Sequence, residues 1–300
     1  MDARGYWLTS RRNSPEMNDL DAIRGIIAEQ TGQKPVGPPR AIGGGCINET
    51  FRLDDYFIKT NSPDRGDMFE AEKLGLATLL DTKRVRVPQP VCSGVTSDYS
   101  FLVLELLPIG SPDTSSYAQM GRQLADLHRT TTDHFGWSRD NYIGTTSQPN
   151  SPSSSWVDFL REARLGHMLR LAGDCGFSFR GADTLLDNLD SFFEEPPPPS
   201  LLHGDLWGGN AGALTNGVPV IFDPAVYYGD READLAMTQL FGGFNSSFYR
   251  AYQEAWPLPP GHELRAELYN LYHVLNHSIL FGGSYARQAQ SMIDTLLRSL

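Results

Sequence analysis

The hydrophobic pattern of this chain of 300 residues changes its period once, and that change constrains the fold more than any other feature. Up to about residue 107, short runs alternate between apolar and polar residues, as β-strands do. From residue 117 onward, apolar residues recur with the period of an α-helix. We therefore expect an α+β fold with two lobes, a small antiparallel β lobe at 1–107 and a large, mainly helical lobe at 108–300.

The period of the hydrophobic pattern and the positions of turn residues together predict the helices and strands of each lobe. The predicted strands of the first lobe are 41–53, 56–60, 90–94 and 101–106. Its predicted helices are 18–31 and 67–80. The predicted helices of the second lobe are 117–128, 156–171, 184–193, 232–241, 246–254 and 263–280. Two polar or proline-rich stretches, 147–155 and 196–200, are expected to form exposed loops.

The composition excludes several classes of function. Hydrophobic residues make up 40% of the chain, which is enough for a substantial core, yet no run approaches the ~18 apolar residues of a membrane-spanning helix. The formal net charge of −11 argues against a nucleic-acid partner, which would require a concentrated basic surface. The N-terminal residues lack the apolar core of a secretory signal, and there are only three cysteines. These features predict a cytoplasmic protein without nucleic-acid or membrane partners.

The most informative segment, 203–223, begins with HGDLWGGN and ends with IFDP. Asn216-Gly217 lies between these two motifs, and this dipeptide predicts a hairpin with a two-residue type I′ turn. Asn210 and Asp223 are equally far from that turn, so their side chains should lie directly opposite each other, ~5 Å apart. An amide oxygen and a carboxylate at this separation can share a hard cation such as Mg²⁺.

Asp205 stands before Asn210 with the D-x-x-x-x-N spacing by which kinases place a catalytic base and a metal ligand on one loop. Asp and Asn also satisfy backbone groups in ordinary turns, and either residue alone would have that interpretation. The coincidence of this spacing with a hairpin that returns Asp223 favours ATP-dependent phosphoryl transfer. Asp205 would be the base, and Asn210 and Asp223 the metal ligands.

A kinase also requires a loop over the phosphates and a lysine in the β lobe. Gly43, Gly44 and Gly45 lie between two predicted strands and can let backbone N–H groups approach phosphate oxygens. A triple glycine is also an ordinary flexible turn. Lys59, on the strand at 56–60, is expected to reach the α- and β-phosphates, and a solvent-exposed edge lysine is the alternative.

Glu72 on the following helix is the predicted ion-pair partner of Lys59, and Glu70 is its competitor. The two glutamates are separated by one residue, so they cannot share one face of a helix. The strand that follows supplies a candidate hinge whose backbone groups could contact the edge of adenine. The predicted hinge residues are Leu104, Glu105 and Leu106.

Long motifs along nearly the whole chain resemble the fructosamine-3-kinase or ketosamine-3-kinase family, within the protein-kinase-like fold that also includes aminoglycoside phosphotransferases. These motifs are GGGCINET at 43–50, MFEAE at 68–72, LLHGDLWGGN at 201–210, FDPAVYYGDREADLAM at 222–237 and LFGGSY at 280–285. The resemblance implies that ATP and Mg²⁺ are used to phosphorylate the sugar O3 of ketoamines, the rearranged adducts of sugars on amines. It also implies deglycation, because a 3-phosphoketosamine eliminates phosphate and releases the free amine.

Trp207 distinguishes the chain from protein kinases, which carry a lysine two residues after the catalytic Asp. An indole beside Asp205 offers a flat apolar surface for the C–H face of a sugar, and a core anchor is the alternative role. Aminoglycoside and choline kinases share the D-x-x-x-x-N spacing but not Trp207, and they are the alternative enzymes. A nucleotide-binding pseudokinase is the alternative outside enzymes, but the complete set of predicted site residues argues against it.

Four further residues are expected to have mainly structural roles. His273 and His277 have the i, i+4 spacing of zinc ligands but lack the adjacent Glu of the metalloprotease motif, so helix packing or the sugar pocket is favoured over a metal. His203 is expected to organise the catalytic loop. Asp234, near a helix start, is expected to stabilise free N–H groups and to brace the catalytic loop.

Three questions concern regulation and specificity. Cys46, beside the glycines, is either an accessible, oxidation-sensitive switch that blocks nucleotide binding or an inert small residue. The loop 147–155 and Trp156 are candidates for shaping the choice of ketoamine. The sequence leaves open which sugar is preferred, whether the ketoamine is a small molecule or protein-bound, and whether the enzyme is a monomer or a homodimer.

Overall fold

The computed structural model describes residues 17–43 and 47–300. The chain divides into two compact units, residues 1–73 with 89–107, and residues 74–88 with 108–300. The division after residue 107 coincides with the change of sequence pattern. The stretch 74–88 was expected in the first lobe, whereas the structure groups it with the second unit. None of the helices in the described part of the chain has the length and apolar composition that a membrane crossing requires.

The first unit contains a five-stranded antiparallel sheet with the strand order β1-β2-β3-β5-β4. Its strands are β1 (Arg40–Ala41), β2 (Glu49–Leu53), β3 (Tyr56–Asn61), β4 (Pro90–Val95) and β5 (Ser100–Glu105). Helix α1 (Met17–Thr31) precedes the sheet, and α2 (Gly66–Thr82) begins after β3. Three of the four predicted strands agree with these bounds to within one residue. The predicted strand 41–53 corresponds to parts of β1 and β2.

Helix α1 covers one face of this sheet because its apolar residues fall on one side. Leu20, Ile23 and Ile27 follow the helical period and are buried. They form one cluster with apolar side chains of four strands, namely Phe51, Leu53, Ile58, Cys92, Phe101 and Val103. Each such fully buried side chain contributes about 1.5–3 kcal/mol relative to exposure, so this cluster is the core that fixes the positions of β2, β3 and β5.

The second unit is mainly helical, as predicted. Its helices are α3 (Thr114–His128), α4 (Trp156–Phe159), α5 (Gly166–Asp174), α6 (Ala182–Asp187), α7 (Glu232–Leu240), α8 (Ser246–Ala255), α9 (His262–Phe281) and α10 (Ser284–Leu297). A π-helical segment, Leu160–Leu165, joins α4 to α5. Its short strands are β6 (Ile109–Gly110), β7 (Asn141–Ile143), β8 (Thr146–Gln148), β9 (Ser200–Leu202), β10 (Ala211–Leu214), β11 (Pro219–Ile221) and β12 (Tyr227–Gly229).

Helix α10 was not predicted, although the sequence carries its signal. Ala289, Met292, Ile293 and Leu296 are buried at helical spacing. This face packs against α9. These buried residues span little more than two helical turns and are separated by polar residues. The helical period of such a short apolar stripe is only weakly defined.

The hairpin of β10 and β11 forms, but its predicted register was wrong by one residue. Gly212 pairs with Val220, and the turn is a three-residue loop between Leu214 and Val218. Within this loop, which the structure describes completely, only Gly217 has a positive φ, +82°. A three-residue loop that ends in a left-handed glycine replaces the predicted type I′ turn, and the extra loop residue shifts every cross-strand pair.

The loop prediction for 147–155 was wrong for residues 148–150, whereas residues 151–155 are exposed or half-buried as predicted. Gln148, Asn150 and Trp156 are buried. The side-chain amides of Gln148 and Asn150 both donate to Asn141 Oδ1, at 2.7 and 2.8 Å. Trp156 Nε1 donates to Tyr269 Oη at 3.1 Å. The polar side chains of Gln148 and Asn150 therefore belong to a buried hydrogen-bond network rather than to an exposed loop.

The two turn geometries predict different costs for substitutions in the loop. Gly217→Ala should lower the free energy of unfolding by about 1 kcal/mol, because an L-residue is strained at this φ. Asn216→Ala should cost less than about 0.5 kcal/mol, since Asn216 lies at an exposed position without a positive φ. Urea unfolding of both variants measures the difference. Equal costs of about 1 kcal/mol would contradict the three-residue loop and favour the type I′ turn.

Candidate active site

Residues 203–210 connect β9 to β10, and this connection is the predicted catalytic loop. The buried carboxylate of Asp234, on α7, accepts hydrogen bonds from the backbone N–H groups of His203 (2.7 Å) and Gly204 (2.8 Å). His128 Nε2 donates to the same carboxylate at 3.1 Å. The predicted brace between Asp234 and the catalytic loop is therefore confirmed, and it fixes the start of the loop.

His203 holds the loop from the other side. Its Nε2 donates to the carbonyl oxygen of Phe222 at 2.9 Å, and its Nδ1 accepts from the N–H of Asp205 at 3.2 Å. These two contacts require the neutral ring, and burial lowers the pKa of His203 accordingly. His203 therefore organises the catalytic loop, as predicted. Gly204 has φ +82°, and a Cβ there would lie 2.0 Å from the carbonyl oxygen of Ala225.

Asn210 connects the loop to both acidic residues of the predicted site. Its Nδ2 donates to Asp205 Oδ2 at 3.1 Å and to the backbone oxygen of Asp205 at 2.9 Å, and it lies 3.5 Å from the backbone oxygen of Asp223. Directly opposite Asn210 lies Phe222, whose N–H donates to the Asn210 carbonyl at 3.0 Å. Asp223 comes one residue later, with φ +57°. The three residues are brought together although the predicted opposition of Asn210 and Asp223 was wrong.

The environment of Asp205 disfavours its charge. Burial, followed by the nearby charge of Asp223, raises the pKa of Asp205 from 3.8 to about 7, although the hydrogen bond from Asn210 acts in the opposite direction. The charge of Asp234 adds to the increase. A carboxylate with such a pKa can accept a proton near neutral pH, which is the property that a general base requires.

Lys59 and Glu72 form the predicted ion pair in the first unit. Lys59 Nζ lies 2.7 Å from Glu72 Oε1, and both side chains are largely buried. The competitor Glu70 instead contacts Lys73 at 2.7 Å and accepts from Ser93 Oγ at 2.5 Å. The choice of Glu72 over Glu70 is confirmed, and the pair holds the lysine ammonium in a fixed position.

The predicted nucleotide loop and hinge are described only in part. Gly44, Gly45 and Cys46 lie outside the described residues, whereas Gly43 is exposed. In the hinge, Leu104 pairs with Phe57 of β3. The N–H groups of Glu105 and Leu106 donate to the carbonyl oxygens of Gln89 and Asp55, both at 2.9 Å. These two donors are engaged, so carbonyl oxygens are the better candidates for contacts with adenine.

Trp207 is an exposed residue and not a core anchor. Its side chain is 38% exposed, and it contacts the edge of Phe241 with ring centroids 6.2 Å apart. Trp207 lines a groove of about 650 Å³ together with residues of β6, the loop after β6, α3 and the end of α7. Gly209 must lack a side chain because a Cβ there would lie 2.2 Å from the indole.

The two histidines of α9 pack within the helical unit. His273 is buried, and burial lowers its pKa to about 3. His277 Nδ1 donates to the carbonyl oxygen of His273 at 2.7 Å. Across residues 17–43 and 47–300, no group of three or more His, Cys, Asp or Glu side chains is arranged to hold a metal ion. The burial of His273 agrees with the predicted role in helix packing.

Two buried residues of the site region were missed by sequence reasoning. His128, at the end of α3, links Asp234 to Tyr252, whose hydroxyl lies 2.8 Å from Nδ1. Arg164 lies in the π-helical segment, with its guanidinium 4.0 Å from the ring centroid of Tyr227. A histidine or arginine among apolar helix residues has no pattern of its own, so only the tertiary contacts reveal these roles.

Comparisons with known proteins agree with this geometry. A family model described as fructosamine kinase matches residues 20–299. The chain is 46% identical over 279 residues to a probable ketoamine kinase of Synechocystis sp., covering 91% of this chain and 95% of the relative. It is 41% identical over 292 residues to a chloroplastic protein-ribulosamine 3-kinase of Arabidopsis thaliana, covering 93% and 89%.

Solved structures support the fold. The crystal structure of a putative fructosamine-3-kinase from Haemophilus somnus matches with a TM-score of 0.86 at 32% identity, covering 92% of this chain and 96% of that one. Macrolide and aminoglycoside phosphotransferases at 14–17% identity share the fold alone, with TM-scores of 0.53–0.61. The predicted α+β, protein-kinase-like fold with two lobes is confirmed.

The raised pKa of Asp205 predicts a gain of stability on its neutralisation. Because the folded protein disfavours the charged form, the wild type should lose unfolding free energy as the pH rises from about 4 to about 7. Asp205→Asn should therefore unfold at a higher temperature than the wild type at pH 8, with a smaller difference at pH 5. Thermal unfolding in metal-free buffer measures this, with the exposed Asp81→Asn as control. An equal difference at both pH values would contradict the prediction.

Proposed function

The chain belongs to the fructosamine kinase family, and we propose that it transfers the γ-phosphoryl group of ATP to the sugar O3 of a ketosamine with Asp205 as the base. It is an ATP-dependent kinase, and its phosphorylation of ketosamines serves deglycation. The assignment of the base is carried by one observation. Asn210 holds one oxygen of Asp205 at 3.1 Å while Asp223 acts on the same carboxylate.

Asp205 has the geometry and the pKa of a base. Asn210 engages Oδ2, so Oδ1 can accept the proton of the sugar hydroxyl. A pKa of about 7 leaves a substantial fraction of Asp205 ionised at neutral pH and still gives it affinity for the proton. Asp205 would orient the hydroxyl and remove its proton during transfer. No covalent intermediate on the enzyme is required.

The donor set of Asn210 and Asp223 fits Mg²⁺. The Asn210 nitrogen faces Asp205, which leaves the amide oxygen as the group that can face a cation. After burial, the charge of Asp223 is the main influence that raises the pKa of Asp205, and a bound cation would offset it. Bound at this place, Mg²⁺ would neutralise the phosphate charge. Asn210 and Asp223 are the residues of this chain that would hold it.

We assign phosphate binding to the Lys59–Glu72 pair of the first unit. The 2.7 Å contact fixes an ammonium group that would otherwise be flexible, and its burial strengthens its interaction with a phosphate oxygen. Gly43, Gly44 and Gly45 would cover the phosphates, and backbone groups of the Leu104–Leu106 hinge would contact adenine.

Trp207 is the proposed surface for the sugar. Its exposed indole stands two residues after Asp205, where it can contact the C–H face of a sugar whose hydroxyl reaches the base. One relative carries the name protein-ribulosamine 3-kinase, so we propose protein-bound as well as small-molecule ketosamines as substrates. A cytoplasmic location, the absence of nucleic-acid partners and the choice between monomer and homodimer stay predictions. So does redox sensitivity at Cys46.

A panel of acceptors tests the function. We expect ATP consumption with fructosamine or ribulosamine adducts and none with an aminoglycoside or choline, and NMR should place the phosphate on C3. Asp205→Ala should fold normally and lose turnover by a factor of about 10²–10⁴, since general-base catalysis contributes that much. Near-normal turnover of this variant would overturn the assignment of the base, and transfer to choline alone would overturn the function.

Asp223→Asn tests the metal site. This variant keeps an oxygen donor but loses the charge, so it should need about tenfold more Mg²⁺ for half-maximal activity. The stabilisation of the protein by Mg²⁺ with a non-hydrolysable ATP analogue should weaken in parallel. Asp81→Asn, which makes the same change at an exposed carboxylate, is the matched control. An unchanged Mg²⁺ requirement in Asp223→Asn would exclude Asp223 as a ligand.

A further inference from the structure

A continuous series of rings begins at the catalytic loop and follows the surface of the second unit. We call it the aromatic strip, and it consists of Trp207, Phe241, His277, Phe281 and Tyr285. The centroid distances are 6.2 Å from Trp207 to Phe241 and 5.0 Å from Phe241 to His277. His277 then contacts Phe281 at 5.5 Å and Tyr285 at 5.1 Å.

The aromatic strip faces solvent over much of its length. Trp207 is 38%, Phe241 41% and Phe281 49% exposed, which places all three among the exposed large apolar side chains of the chain. Contiguous exposed rings of this kind usually mark a binding surface, because water contact of so much apolar area is unfavourable. His277 supports the strip from below, since its hydrogen bond to the His273 carbonyl fixes the ring.

The aromatic strip begins in a groove that Trp207 and Phe241 both line, and it continues beyond that groove through His277 and Phe281. Glycine backbone forms another part of the groove lining, at Gly208, Gly209, Gly242 and Gly243. Backbone N–H and C=O groups suit hydroxyl groups, which must keep their hydrogen bonds when they leave water. The surface around Trp207 therefore offers glycine backbone within the groove and the rings of His277 and Phe281 beyond it.

A ketosamine has two ends that differ in the same way. One end is the hydroxylated tail of the sugar, and the other is the amine with its substituent. The amine-bearing carbon is only a few bonds from O3, so both ends must leave the reacting hydroxyl close to Asp205. When the amine belongs to a lysine residue, its substituent is a chain of methylene groups that continues into a polypeptide.

We propose that Phe241, supported by His277, binds the amine side of the ketosamine and thereby makes the enzyme prefer adducts of lysine side chains over adducts of small amines. This inference rests on the proposed function. The methylene chain lies along the Phe241 ring, and Phe281 extends the surface for the peptide that carries the lysine. The hydroxylated tail of the sugar occupies the glycine-lined groove.

The charge of the substrate is consistent with binding of its amine side at the aromatic strip. The amine of a ketosamine is a secondary ammonium group near neutral pH, and the face of an aromatic ring attracts a cation. Burial lowers the pKa of His277, so its ring is neutral and does not repel the ammonium group. The net charge of −11 favours the approach of cationic substrates in general, whereas the aromatic strip is the specific site that binds the ammonium group.

Three substrates with the same sugar test the proposal, namely the adducts of methylamine, of Nα-acetyl-lysine at its ε-amine, and of a lysine within a peptide. Phe241→Ala should reduce the ratio of kcat/KM for the lysine adduct to that for the methylamine adduct by about five- to tenfold, mainly through KM. Phe281→Ala should reduce the ratio for the peptide adduct relative to the free lysine adduct. Phe193→Ala, which removes a half-buried ring near Tyr269, is the matched control and should leave both ratios unchanged.

Each outcome decides one question. If the wild type phosphorylates none of the adducts, the proposed function fails. If it phosphorylates them and Phe241→Ala slows all three equally, Phe241 has a structural role and the inference is wrong. Unchanged ratios in Phe241→Ala would equally exclude the aromatic strip as the surface for the amine side. Thermal unfolding of each variant establishes that the compared proteins are folded.

Discussion

The catalytic loop depends on one buried carboxylate, that of Asp234. Burial alone would raise its pKa, but the hydrogen bonds from His128 and from the N–H of Gly204 help to hold the pKa below its usual value. The N–H of His203 donates to the same carboxylate. The same contacts satisfy two backbone donors that would otherwise be buried without partners. Because these donors belong to the first residues of the loop, the orientation of Asp205 follows from α7 and α3 rather than from the loop sequence alone.

The site brings two acidic side chains together, although this arrangement disfavours the folded state. Burial and then the charge of Asp223 disfavour the ionisation of Asp205, and the hydrogen bond from Asn210 offsets only part of this cost. Such an arrangement is expected where a cation and a proton are to be bound during the reaction, because a fully satisfied carboxylate would be a poor base. The stability that Asp205 costs and the basicity that it provides therefore have the same origin.

Sequence reasoning succeeded where one local pattern determines the outcome. Helical spacing showed that Glu70 and Glu72 cannot both face Lys59, and the E-x-E-K pattern of small-molecule kinases correctly favoured Glu72. It failed where a turn has two acceptable geometries, since Asn216-Gly217 is compatible with both a two-residue and a three-residue loop. It also could not find His128, because nothing in α3 shows that α7 places a carboxylate beside it. Long-range contacts of this kind leave no local signal.

In the second unit, one set of groups orients the proposed base, and a different set forms the proposed surface for the substrate. Asp205 is positioned by backbone hydrogen bonds, whereas Trp207 and Phe241 meet the solvent through their rings. The two rings can approach each other because Gly208 and Gly243 have no side chains; a Cβ on Gly208 would lie 3.1 Å from Gly243 Cα. Substitutions of the rings can therefore alter which amine adducts are accepted without moving the base. A side chain at either glycine would disturb both the rings and the base.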